Sequence, residues 1–248
     1  MELELILLVI IGFITGIINI MAGGGSLLTL PMLIFLGLPP SVANGTNRVA
    51  ILIQNIFSTA GFRSKGITTF PYSIYFGISA MLGAIIGAQI AVDIKGEVFN
   101  KILAIVMLFV VVFLVFNRKT KMEDFVERIT GKYLWISIIV FFFIGIYGGF
   151  IQAGTGFLML LALSGINQFS LVKSNAIKVI VALIYTTSAL IIFILNDQVN
   201  WKYGLILAIG NASGGWLASR WSVKKGDGLV KIFLIIMVII MAIKLWFY

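Results

Sequence analysis

The residues able to do chemistry in this chain are few, and their spacing suggests binding rather than reaction. Gly23, Gly24, Gly25 and Ser26 interrupt an apolar stretch that would otherwise read as one long helix. A second interruption, "AGTG", comprises Ala153, Gly154, Thr155 and Gly156. Glycine costs a helix interior about 1 kcal/mol relative to alanine, so the triple-glycine break costs about 3 kcal/mol and calls for a purpose. Backbone N–H groups at such a break can approach a ligand with no Cβ in the way. A helix starting just after it, at Leu27 or Phe157, turns the positive end of its dipole to the same spot. That combination suits an anion. Two cations, Arg48 and Lys178, stand about two turns into apolar segments. An ionisable residue at membrane depth marks function by default, although both lie near enough to a segment start to snorkel to the interface. Asn19, Thr46, Asn47, Gln152 and Asn175 would complete a polar lining, with Asn44, Gln54, Asn55 and Ser174 close by in sequence. Any one of these can instead serve as a helix–helix hydrogen bond.

Other chemistries lack their parts. There is no cysteine and no histidine, and all nine acidic residues fall at termini or in predicted loops. No nucleophile–base pair, metal ligand set or intramembrane carboxylate relay can be assembled, so an enzyme and a cation pump are set aside. No nucleotide-binding motif or cofactor site is present. Energy would have to come from a gradient or a partner.

The elements that position these residues are membrane spans. Hydrophobic residues make up 60% of the 248 and charged residues 11%, against about 25% charged in a soluble domain. Apolar runs approach or exceed 18 residues, the length that crosses a bilayer. The expected fold is all-α and polytopic. The acidic start, with Glu2 and Glu4, reads as a retained first span rather than a secretory signal. Spans are expected at about 3–22, 42–60, 72–92 and 98–116, then 133–152, 171–195, 201–219 and 229–247. Short segments are expected at 27–36 and 157–164.

Two halves emerge. Gly12, Gly16 and Asn19 align with Gly145, Gly149 and Gln152. The glycine breaks align, as do Arg48 with Lys178 and Lys101 with Lys231. The four-residue spacing of Ser79, Gly83, Gly87 and Ala91, and of Asn211, Gly215 and Ser219, reads as close helix packing. The domains are a first repeat (1–116), a cytoplasmic linker (117–132) and a second repeat (133–248). With five segments per half, thirteen of the 18 basic residues share one side, five of them in the linker. Arg48, Lys95, Lys101, Lys202 and Lys244 take the other. The positive-inside rule then puts the N-terminus outside, residues 117–132 in the cytoplasm, and the second repeat inverted relative to the first. Inverted repeats with matching glycine breaks point to a secondary transporter, its site between the repeats. A passive anion channel is the alternative. The net charge of +9 belongs to cytoplasmic loops, not to a nucleic-acid surface.

The stretch from Gly12 to Phe62, "GFITGIINIMAGGGSLLTLPMLIFLGLPPSVANGTNRVAILIQNIFSTAGF", resembles the first-repeat signature of the sulfite exporter TauE/SafE family. "GIYGGFIQAGTGFLMLLAL" followed by "SNAIKV" resembles the second, although "SNAIK" stands where the family's pattern is nearer to "GTN". The resemblance covers nearly the whole chain. It implies transport of small sulfur-containing anions, such as sulfite, thiosulfate or sulfonates, across the cytoplasmic membrane. The partners expected are that anion and the lipid bilayer, with a homo-oligomer left open.

Overall fold

A computed structural model describes residues 2–116 and 127–221, together with Ile239 and Ile243. Of the expected span 229–247, all but those two lie outside the described residues, as does linker segment 117–126. The first half supplies α1 (Glu2–Ala22), α2 (Ser26–Phe35), α3 (Pro40–Arg63), α4 (Tyr72–Asp93) and α5 (Gly96–Phe116). The second supplies α6 (Gly131–Phe150), α7 (Thr155–Gly165), α8 (Leu171–Leu195) and α9 (Trp201–Trp221). The short helices α2 and α7 thus begin directly after the two breaks.

Local chemistry sets these ends. Gly23 and Gly154 hold φ of +79° and +76°, a left-handed backbone open chiefly to glycine, and this turns the chain between α1 and α2 and between α6 and α7. Pro40 opens α3, where its missing N–H would have had no intrahelical acceptor anyway. Ser170 caps α8, its Oγ accepting from the Lys173 amide at 3.3 Å.

Four helical stretches among the described residues are long and apolar enough to cross a bilayer: Glu4–Ala22, Tyr72–Asp93, Gly131–Phe150 and Leu171–Leu195. Large apolar side chains such as Ile10, Leu82, Ile90, Phe109 and Phe143 point outward, while Arg48, Asn44, Asn47, Gln54 and Asn211 are fully buried. An outside more apolar than parts of the inside is the distribution a lipid solvent demands.

Packing fixes the helix directions. Gly12 and Gly16 of α1 meet Leu207 and Asn211 of α9, Gly204 of α9 meets Thr46 and Val49 of α3, and Gly61 of α3 meets Ser219. Hence α1, α3 and α9 run the same way. Gly83 and Gly87 of α4 meet Phe142 and Ile146 of α6. Tyr72 faces Phe169 at 5.7 Å, and Gln198 beyond the end of α8 donates to the Val92 carbonyl at 3.0 Å, so α4, α6 and α8 also run together. Gly45 near the start of α3 meets Phe193 near the end of α8, which sets the second group against the first. Corresponding helices of the two halves (α1 and α6, α3 and α8, α4 and α9) therefore point in opposite directions. The packing also survives exchange of the halves: α1 and α3 lean on α9 as α6 and α8 lean on α4. The small-residue spacings expected to pack do so, with helix backbones in contact at Gly83, Gly87 and Gly16.

Candidate functional site

The two breaks meet at the centre of the molecule. A Cβ placed on Gly23 would lie 2.5 Å from the Gly156 carbonyl carbon and 2.7 Å from the Phe157 nitrogen, and one placed on Gly156 would strike Gly23 in turn. Gly25 is equally enclosed, with Asn19 Cβ 2.7 Å from where its own Cβ would stand. Gly24 is buried beside them. Two short helices thus start side by side, their first turns tightened by bonds from the Leu27 amide to the Gly24 carbonyl and from the Phe157 amide to the Gly154 carbonyl, each 3.0 Å, and both turn the positive end of the helix dipole to the junction.

Beside this junction lies a small cavity lined by Asn19, Ser26, Asn55, Gln152, Gly156, Lys178 and Tyr185, with Ile20, Ile51, Met159 and Ala182 as its apolar walls. Its free volume is about 20 Å³, room for a water molecule. Its polar groups come from both halves. Gln152 Nε2 donates to Thr186 Oγ1 at 2.8 Å, leaving Oε1 without a partner among the described residues, and Asn55 Nδ2 is likewise unpartnered. Thr155 Oγ1 donates to the Gln152 carbonyl at 2.8 Å and braces the second break.

The two predicted cations hold the broken helices. Lys178 Nζ donates to the carbonyls of Asn19 (2.9 Å) and Ile20 (3.0 Å), in the last turn of α1, and to Asn175 Oδ1 at 2.7 Å. Arg48 donates through Nη1 to the Gly148 carbonyl at 3.1 Å and through Nη2 to the Gly149 carbonyl, in the last turn of α6. Asn44 adds a bond to the Phe150 carbonyl at 2.8 Å. The logic is electrostatic: the last carbonyls of a helix are unsatisfied and carry its negative end, and a buried cation answers both needs. Each half supplies the cation that finishes the other half's broken helix. Neither cation snorkels, since Arg48 is 0% and Lys178 3% exposed.

Of the residues expected to form the site, Asn19, Ser26, Gln152, Gly156 and Lys178 reach the cavity. Gly23, Gly24, Gly25, Gly154 and Thr155 build the breaks beside it, and Asn175 orients Lys178. Three lie elsewhere. Arg48 sits at the end of α6 with its guanidinium over Phe193 at 4.7 Å. Asn47 accepts from Thr29 Oγ1 at 2.6 Å and ties α3 to α2. Thr46 accepts from the Asn200 amide at 2.9 Å and pins the turn before α9. Tyr185 is a lining residue that was not anticipated. The repeat offset that pairs Arg48 with Lys178 also carries Asn55 onto Tyr185, and that was the available signal.

Apolar helices facing outward, and a buried polar junction of two helix breaks within, are features of a membrane transport protein. The sulfite exporter TauE/SafE family model matches residues 8–245, so the chain belongs to that family of membrane transporters. A probable membrane transporter protein of Haemophilus influenzae is 29% identical over 98% of this chain and 97% of its own length. One from Sinorhizobium is 28% identical over 96% of this chain and 90% of its own. Escherichia coli YfcA, also named a probable membrane transporter, is 27% identical over 95% and 87%. No solved structure gives a significant match.

Proposed function

We propose that this protein is a secondary transporter that moves a small sulfur-containing anion, such as sulfite, thiosulfate or a sulfonate, across the cytoplasmic membrane. The observation that carries the reading is the convergence of two helix starts and one ammonium group, Lys178, on a single buried polar cavity. Helix N-termini and a cation together favour negative charge, while the neutral Asn19, Asn55, Gln152 and Tyr185 orient it. Arg48 acts at one remove, by holding the end of α6. An anion of four or more heavy atoms needs more room than a water molecule, so binding requires the two breaks to part. Residues 1–116 and 133–248 act as inverted repeats that rock about this junction, a reading supported by the opposed directions of their helices. The N-terminus lies outside and residues 117–132 in the cytoplasm, as the charge distribution favours.

The test is uptake of radiolabelled sulfite, thiosulfate and taurine into proteoliposomes. Saturable flux of at least one, accelerated by the same anion on the far side, is expected. Absence of flux for all three would overturn the assignment, and flux that neither saturates nor shows trans-stimulation would indicate a channel.

A further inference from the structure

The polar interior does not stop at the cavity. On the face that α3 turns to α9, Gln54 is fully buried, and neither of its side-chain polar atoms has a partner among the described residues. The same holds for Ser58 Oγ and for Asn211 Nδ2. Gln54 and Ser58 adjoin one another opposite Gly215. A Cβ on Gly215 would fall 2.6 Å from Ser58 Oγ and 2.7 Å from Gln54 Cγ, and Asn211 lies one turn before Gly215 on α9. The single Thr15 hydroxyl proton has two acceptors in reach, the Gly12 carbonyl at 3.0 Å and Asn211 Oδ1 at 2.9 Å, and the Asn211 amide nitrogen has no partner among the described residues.

Helix packing alone does not account for this cluster, because packing polar groups in lipid normally pairs them. Three open groups can donate, Gln54 Nε2, Asn211 Nδ2 and the Ser58 hydroxyl, whereas two can accept, Gln54 Oε1 and the same hydroxyl. A cation would require oxygens; a set rich in N–H and O–H suits an oxyanion. The location suits transit. Gln54 is the chain neighbour of Asn55, which lines the cavity. In the other direction α3 and α9 stay in contact as far as Gly61 and Ser219, and their last turns carry Arg63 and Arg220, with Lys65 just beyond α3. Such a positive rim concentrates anions.

We propose that Gln54, Ser58 and Asn211 form a second binding site for the same class of small oxyanion, placed between the Arg63–Arg220 end of the bundle and the central cavity. This rests on the transporter reading. It adds a waiting position whose neutral donors hold the ion weakly enough to pass it on.

The test uses the full-length protein with Gln54→Met and, separately, Ser58→Ala, probed with radiolabelled sulfite and thiosulfate. At an anion concentration near the Kd of the second site, binding stoichiometry should fall toward one per chain in each variant, and flux should fall about tenfold, the value of one lost hydrogen bond to an ion. Thermal stability should stay level or rise, because donors buried without partners are removed. Unchanged stoichiometry and flux in both variants, beside an active wild type, would overturn the second site and leave the transporter standing. Lower stability with unchanged stoichiometry would also overturn it, assigning the cluster to a structural water. A wild type that neither binds nor moves either anion would overturn both readings.

Discussion

Arg48 and Lys178 occupy matching positions, yet their substitution should have different consequences. Arg48→Met removes the donors of the Gly148 and Gly149 carbonyls while keeping an unbranched apolar stem in the space. Each buried carbonyl left unsatisfied costs about 1–3 kcal/mol, so the gross loss is about 2–6 kcal/mol. Relief from burying a guanidinium offsets part of this, and a net loss of about 2–4 kcal/mol follows. At about 2–4 °C per kcal/mol for a chain of this size, Tm should fall by about 4–16 °C. Anion affinity should change little at temperatures where the variant is folded, because Arg48 does not line the cavity. Lys178→Met strips the Ile20 carbonyl, while the Asn19 carbonyl keeps the Gly23 amide at 3.0 Å, so it should destabilise less than Arg48→Met. It should also weaken anion binding by about 2–3 kcal/mol, a 30- to 150-fold loss, through its unit charge at an effective dielectric of about 20, since Lys178 lines the cavity although its three N–H groups are engaged. Tryptophan-fluorescence melting of the purified variants, paired with radiolabelled sulfite binding, separates the two effects. Arg48→Met losing as much affinity as Lys178→Met would put Arg48 on the anion, and an unchanged Tm would refute the helix-end role.

Gly23→Ala should prevent folding or lower Tm severely, because its Cβ would lie 2.5 Å from Gly156. Gly37→Ala, at φ +89° with open space around it, should cost only the left-handed strain of about 1–2 kcal/mol, and side-by-side melting curves check the contrast. Tyr185→Phe should leave the fold intact and weaken anion binding by about 0.5–1.5 kcal/mol, the value of a neutral hydrogen bond, as read by equilibrium binding. The chain contains no cysteine, so Phe125→Cys gives a single labelling site. It should react with impermeant maleimide only from the cytoplasmic side, and labelling from outside would refute the proposed orientation.

Much of the architecture could be read from residue types. The helix starting at Ser26 and the one at Thr155 follow from glycine's cost in a helix, and the described spans end within a few residues of the apolar runs. What Arg48 does could not be read. A sequence shows a cation at membrane depth, but its partners, the carbonyls of Gly148 and Gly149, lie some hundred residues away on another helix. The backbone acceptors at a helix end leave no trace in side-chain composition. Tyr185 was missed for a related reason: an aromatic residue in an apolar span reads as core until a neighbouring break makes its hydroxyl useful. Asn47 and Thr46 precede Arg48 directly in the sequence, yet successive helix positions face different neighbours, α2 for Asn47 and the turn before α9 for Thr46.

The reciprocal finishing of helix ends has a consequence for biogenesis. The carbonyl of Ile20 is satisfied by a residue made 158 positions later, and that of Asn19 gains from it a second donor beside the Gly23 amide. At about 5–20 residues per second of synthesis, the first helix waits about 8–32 s in or near the insertion machinery with its end unfinished. Through that interval the nascent first half must be sheltered by the translocon, by lipid headgroups or by water. A chain halted before Lys178 emerges should therefore be a substrate for membrane proteases, and resistance should appear only once the second half has been threaded through.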